Sequence, residues 1–482
     1  MTEPAFQSAS MLAQRLRDGD FSARELLEYF LDRVDRFNPA LNAIIVDDRE
    51  RAREAAAAAD WALRHGQPLG PLHGVPMTIK ESYNVAGLLT TWGDPAWRDN
   101  MATEDALAVQ RLKRAGAILF GKTNVPLHLA DWQSFNDIYG TTHNPWQQGR
   151  TPGGSSGGSA AALAAGLTSL DSGSDIGGSI RGPAHYCGLF GHKASYELIP
   201  SRGHALSANL TPADISVLGP LARSAQDLHL ALKVMAGPDQ IQARGYRLQL
   251  RPPRPQSAGE FRVAVWHDAG NAPVSADVRQ RVDRVAEAFA SAGATVSWDA
   301  RPEFDAQEHH RTYAALLQAA MSGRQSPEEH DKEIAELGAL DPDDQSPAAE
   351  AIRRRLLTHY RWLQRNEHRT RLRWAWQNFF EEWDILLAPV GATAAFPQDE
   401  RPFEQRSLQV DGKAQPYWQQ LFWAGLASLC YLPSTVVPTG PNAEGLPIGV
   451  QIIGPEFGDL TTLSAATLLE QMGFGFQAPD SY

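Results

Sequence analysis

Three short stretches of this chain hold the residue types from which an acyl-transfer site is built. The first is "TPGGSSGGSAAALAAG", Thr151 to Gly166, where Ser155 and Ser156 sit among four glycines ahead of an alanine-rich helix start. The second is "DSGSDIGGSIRGPA", Asp171 to Ala184. Its backbone N–H groups at Ile176, Gly177, Gly178 and Ser179 carry little side-chain bulk, and glycine tolerates the angles that turn successive N–H groups toward one point. Such a nest binds an anion, and beside a serine it stabilises the oxyanion of acyl transfer. The third is "GVPMTIKES", in which Lys80 closes an apolar, strand-like run. A serine needs a partner to take its proton. Lysine serves if it is neutral, which requires burial to lower a pKa of about 10.4 by roughly three units.

Each stretch alone has a plainer reading. The glycine-serine run also fits a flexible linker, and Lys80 also fits a surface residue at a strand end. A Walker A loop is excluded, because the closing Gly-Lys-Ser/Thr is missing. A nucleophile elbow is matched twice, by Gly153-x-Ser155-x-Gly157 and Gly154-x-Ser156-x-Gly158. An elbow needs a strand running straight into its serine, whereas "HNPWQQGRTP" upstream is polar and proline-bearing.

The elements that must position these residues are an alternation of helices and short apolar runs. "SARELLEYFLDRV" opens with Ser22 and has Glu25 three residues later, a capping box ahead of an apolar stripe. "TEDALAVQRLKRAGA" starts on Thr103 and stops at Gly116, and Ser224 with Asp227 and Ser275 with Asp277 open two more helices. Between helices lie "GVPMTIK", "AILFGKT", "FRVAVWHD", "ATVSWD", "DILLAPV", "STVVPT" and "IGVQIIG". Continuous apolar runs of this length predict strands buried on both faces of a largely parallel sheet. The fold class is α/β, a large mixed, mainly parallel twisted sheet flanked by helices on both faces. Residues 247–260, rich in proline and polar side chains, read as a surface connection. The acidic segment 323–349 reads as a mobile loop. Residues 301–384 as a whole read as a helical insertion laid over the sheet and covering the substrate pocket.

A net charge of -12 argues against a nucleic-acid binder. Two cysteines, Cys187 and Cys430, make no disulfide framework and fit a reducing compartment. "MTEPAFQSAS" has no signal-peptide pattern, and no run of about 18 apolar residues spans a bilayer, so a cytoplasmic protein without a membrane partner is expected. His309-His310 and His330 lack metal-ligand spacing and read as solvated surface. No metal or organic cofactor is expected.

Taken together and in order, Lys80 on "LHGVPMTIKE", Ser155, and Ser179 placed 24 positions later resemble the amidase signature family. The resemblance extends through "GAILFGKTN", "YGTTHNPW" and "GPLARSAQDL", and returns at "LLAPV", "PSTVVPTG" and "LPIGVQIIGP". It implies a single amidase domain over 1–482 with a signature core at 65–235. It further implies Ser179 as nucleophile, Ser155 as bridging serine after a cis peptide bond, and Lys80 as base. The oxyanion hole would be the backbone of Ile176, Gly177, Gly178 and Ser179. Ser156, Asp175 and Arg181 would hold the loops. Ala130, Asp131 and Trp132 of "HLADWQSFNDIYG" would face the oxyanion hole and bind substrate, with Tyr139 and the aromatics Tyr417, Trp418, Phe422 and Trp423 as further apolar contacts or core. Glu81 departs from the aspartate that many members carry there. The implied activity is hydrolysis of a small hydrophobic or aryl amide by a monomer or homodimer, with esters and carbamates sharing the acyl chemistry. Alternatives are a glutaminase subunit of a tRNA-dependent amidotransferase, an α/β-hydrolase-type esterase, and a binding protein that keeps the fold without turnover.

Overall fold

The short strand Pro76–Lys80 forms because β-branched and apolar residues alternate up to the lysine, and every residue in it is buried. It pairs in parallel with Ile118–Thr123, which pairs antiparallel with Ile44–Asp47, giving a small three-stranded sheet. These elements come from a computed structural model, which describes residues 3–206 and 209–482. The lysine strand leans on the edge of a larger sheet: Thr78 N donates to Thr168 Oγ1 at 3.0 Å, and Thr78 Oγ1 donates to Asp171 Oδ2 at 2.6 Å.

The larger sheet has eight strands, in the order Thr295–Ser297, Arg262–Val265, Ile385–Pro389, Pro447–Ile453, Ser434–Pro441, Phe190–Lys193, Val217–Ala222 and Asp171–Asp175. The α/β expectation of a large mixed sheet holds. Its predominantly parallel character does not: only the two pairings made by Arg262–Val265 are parallel, and the five that follow are antiparallel. The reason lies in what an apolar run reports. The strands from Ile385 to Pro389 and from Pro447 to Ile453 are buried at every residue. Because neighbouring side chains point to opposite faces, both faces are covered. Two-sided burial produced the pattern, and it is indifferent to strand direction; "STVVPT" and "IGVQIIG" are in fact partners in one antiparallel ladder, Val437 opposite Val450.

Helix signals held at Ala23–Leu41, whose Ser22–Glu25 capping box is formed. The helix expected from Thr103 begins at Leu107. The segment 301–384 is helical, as Ala306–Ser322, Pro327–Ala339, Pro347–Arg355 and His359–Glu382. The mobile loop expected at 323–349 is thereby corrected: Ser326 and Glu329 form a capping box that starts Pro327–Ala339. None of that helix's residues is buried, so there was no apolar stripe for its period to be read from. The expected solvated position of His309 is also corrected. It is buried and stacked on Phe304, with ring centroids 4.8 Å apart, and His310 packs on Phe422 at 5.9 Å. His330 is exposed.

Candidate active site

Lys80 ends its strand with no exposure to solvent. Its Nζ donates to Ser155 Oγ at 2.7 Å and to Ser174 Oγ at 3.0 Å. Every aspartate and glutamate lies among the described residues, and none is within ion-pair distance of Lys80. Burial therefore pulls the Lys80 amine well below the ordinary lysine range, against a smaller upward pull from Asp175. Glu81, the neighbour whose charge would have undone this, turns the other way, as alternation along a strand requires. Its carboxylate accepts from the amides of Thr91 and, at 3.0 Å, Trp92.

Ser155 follows a cis Gly154–Ser155 peptide bond. Gly154 is wedged so closely that a Cβ would lie 2.3 Å from Asp131 O and 2.4 Å from Gln133 O, so no side chain fits. No strand runs into Ser155, since residues 142–154 form turns and one isolated bridge at Arg150. The serine is presented instead at the foot of the helix Gly157–Ala164. Ser156 N donates to Ser179 O at 3.1 Å and so fixes this loop to the next. Ser174, which sequence reasoning passed over, comes from the polar edge strand "DSGSD". With period two, Ser172 and Ser174 share a face, and Ser172 Oγ lies 2.9 Å from Tyr83 Oη while Ser174 Oγ meets Lys80.

The glycine loop that follows is held through its carbonyls. Tyr313 Oη donates to Ile176 O at 2.7 Å, Trp132 Nε1 donates to Gly177 O at 2.9 Å, and Gly182 N donates to Gly178 O at 2.6 Å. In a trans peptide the C=O and the following N–H point in opposite directions, so these three contacts set the directions of the Gly177, Gly178 and Ser179 amides. Gly178 N is then taken by Asp175 Oδ1 at 2.9 Å, which removes it from the four donors expected of the nest. The amides of Ile176, Gly177 and Ser179 have no protein acceptor among the described residues. Gly178 also has φ +98°, a left-handed conformation that glycine tolerates without penalty. Ser179 is buried, and its Oγ makes no side-chain hydrogen bond among the described residues.

Asp175 and Arg181 brace this loop. The Asp175 carboxylate also accepts from Ile180 N and Arg181 N, and Arg181 Nε and Nη2 reach it at 3.1 and 2.9 Å. Burial pushes the Asp175 carboxyl up, but Arg181's charge and hydrogen bonds outweigh that and hold it below the ordinary carboxylate range. The three residues expected to bind substrate divide. Ala130 is exposed. Asp131 is committed to Arg406 and to Tyr417 Oη, the latter at 2.8 Å. Trp132 alone of the three touches the glycine loop. Its indole packs edge-on against Tyr417 and Trp418, at 5.2 and 6.1 Å. Trp418 is 43% exposed, whereas Phe422 and Trp423 are core.

This arrangement puts a buried amine of lowered pKa, a chain of hydroxyls and open amides around one serine, which is a layout for acyl transfer. A family model described as Amidase matches residues 25–463. The chain belongs to the amidase family. The indoleacetamide hydrolase of Bradyrhizobium diazoefficiens is 34% identical to this amidase over 97% of its chain and 87% of the relative. One component of the glutamyl-tRNA(Gln) amidotransferase of an Azoarcus species is 32% identical, covering 96% of this chain and 97% of the relative. Among solved structures, a bacterial aryl acylamidase of the amidase signature family superposes with a TM-score of 0.81 at 24% identity, over 97% and 96% of the two chains. Among the described residues, no helix of this amidase is long and apolar enough to cross a membrane.

Proposed function

We propose that this amidase cleaves small amides bearing an apolar or aryl group through an acyl-enzyme on Ser179. One observation carries the reading: the Lys80 amine is fully buried without an ion pair and 2.7 Å from Ser155 Oγ. In the proposed cycle neutral Lys80 takes the Ser155 proton while Ser155 takes that of Ser179. Catalytic hydrogen bonds are often open before substrate binds and tighten around it, which accommodates the unbonded Ser179 hydroxyl. Ser179 Oγ attacks the amide carbon, and the oxyanion is received by the amides of Gly177, Ser179 and Ile176. Collapse breaks the C–N bond, and the proton held by Lys80 returns through Ser155 to the departing nitrogen. Water then attacks the ester by the same route, releasing the carboxylic acid and restoring the enzyme.

The exposed Trp418 beside Trp132, Phe403 and Tyr417 supports an aryl or apolar substrate group. So does the similarity to an enzyme named for indoleacetamide. A panel of acetanilides, arylacetamides, aliphatic amides and carbamates, assayed on wild type and Ser179→Ala, tests the reading. Turnover of aryl amides that disappears in the variant is expected; aliphatic preference, or activity surviving Ser179→Ala, would overturn it.

The similarity to the amidotransferase component favours one second reading, glutamine hydrolysis within a complex. That reading requires glutaminase activity dependent on a partner and ATP.

A further inference from the structure

Arg324 lies just beyond the helix Ala306–Ser322 and two residues before the cap Ser326. Its guanidinium stacks 5.1 Å from the centre of the Trp92 ring, and Nη1 donates to His128 O at 2.7 Å. That carbonyl belongs to a turn whose His128 and Leu129 both have positive φ, immediately before the Ala130–Trp132 loop. Trp92 Nε1 in turn donates to Ser82 O, two residues past Lys80. Arg324 thus joins the helical segment to both loops that frame the site.

Its partners do not account for its charge. No aspartate or glutamate, all of them described, lies within ion-pair distance of Arg324. Desolvation by the protein around this half-buried side chain, with nothing offsetting it, brings its pKa down to about 10. Three more deeply buried arginines are matched: Arg181 by Asp175, Arg369 by Asp214, Arg406 by Asp131. Arg223, which also lacks an ion pair, spends its guanidinium on the carbonyls of Leu163, Thr168, Gln7 and Ser169. Arg324 has a single carbonyl and keeps its remaining donors. A partly desolvated cation with no counter-charge gains from an anionic ligand that supplies one. The stack of Arg324 on Trp92, whose indole donates to Ser82 O, holds the guanidinium beside the strand end that carries Lys80, and its charge acts on Lys80 and His204, lowering both.

We infer that Arg324 receives a carboxylate carried by the substrate at a distance from the scissile bond, making the preferred substrates anionic aryl or apolar amides. A carboxylate fits the planar fork of a guanidinium through charge-assisted hydrogen bonds. This deepens the amide-hydrolase reading and rests on it.

The test compares kcat/KM on pairs that differ in charge but little in shape: 4-acetamidobenzoate with 4-methylacetanilide, and 4-acetamidophenylacetate with 4-ethylacetanilide. Wild type, Arg324→Met and Arg324→Lys are each assayed on every compound. Wild type is expected to favour at least one anionic member. Arg324→Met should lose about 10- to 100-fold in the ratio of kcat/KM on that member to kcat/KM on its neutral partner, the value of a lost charge-assisted hydrogen bond, mostly in KM. Arg324→Lys should retain part of the preference. Equal rates on both members in wild type, or an equal fall on both in Arg324→Met, would overturn the inference, the second outcome assigning Arg324 to packing alone. Failure of every amide in wild type, with no acyl adduct on Ser179, would instead count against the hydrolase reading.

Discussion

Tyr313 Oη donates to the carbonyl oxygen of Ile176 at 2.7 Å, and through that one bond the helical segment 301–384 sets the direction of the Gly177 amide. Tyr313 is fully buried, so its hydroxyl has no water to turn to. Tyr313→Phe removes the hydroxyl and keeps the ring. We expect kcat to fall by about tenfold or more, below the roughly 10²–10³ cost of deleting an oxyanion donor outright, with KM little changed. A change in KM alone, with kcat preserved, would assign Tyr313 to substrate binding instead.

Replacing Lys80 by Met separates its chemistry from its packing. Loss of a general base costs about 10²–10⁴ in rate, so kcat should fall by that order while the folded protein remains. Because Met removes a buried amine, thermal unfolding should occur at the wild-type temperature or above it.

The same amine gives a signed pH dependence. Its folded-state pKa is lowered, so the unfolded chain binds more protons between that value and about 10.4, and stability rises with pH across this window. Asp171 behaves oppositely: burial pushes it up to about 7, so its contribution is lost as pH rises from about 3.9 toward 7. Asp171 and Lys80 act on each other, so the difference in unfolding free energy between wild type and Lys80→Met is read well above pH 7, where Asp171 is ionised in both. That difference should shift toward wild type as pH increases, measured by denaturant titration at a series of pH values. In parallel, kcat/KM should climb with pH as Lys80 loses its proton and level off well below pH 10.5.

Asp175→Asn leaves Arg181 buried without its counter-charge and weakens the acceptors for Gly178, Ile180 and Arg181 amides. Breaking a buried pair from one side costs about 3–5 kcal/mol. The variant should unfold at markedly lower denaturant and lose activity with it. Glu81→Gln, by contrast, should cost about 1–3 kcal/mol in weakened hydrogen bonds to the Thr91 and Trp92 amides and leave kcat near wild type, because Glu81 faces away from the amine.

These predictions divide between residues the sequence announced and residues it hid. Lys80, Ser155, Ser179, Asp175 and Arg181 were legible because each sits in a short motif whose local backbone does the positioning. Tyr313 was not. It reaches Ile176 across 137 positions from the helix Ala306–Ser322, and no local motif marks such a contact. Arg324 was hidden for the same reason, since nothing local marks an arginine that lacks a carboxylate. The ion pair of Asp131 was not legible, because its partner Arg406 lies 275 residues downstream. Strand existence was readable from apolar runs, while strand direction depended on connections that such runs do not encode.

The central claim is that Lys80, acting through Ser155, activates Ser179. It is tested most directly by fluorophosphonate labelling followed by peptide mass mapping on wild type, Lys80→Met and Ser155→Ala. The account predicts a single adduct on Ser179 in wild type and a labelling rate lowered strongly in both variants, with each still folded. An adduct on Ser155 or Ser156, or undiminished Ser179 labelling in Lys80→Met, would contradict it.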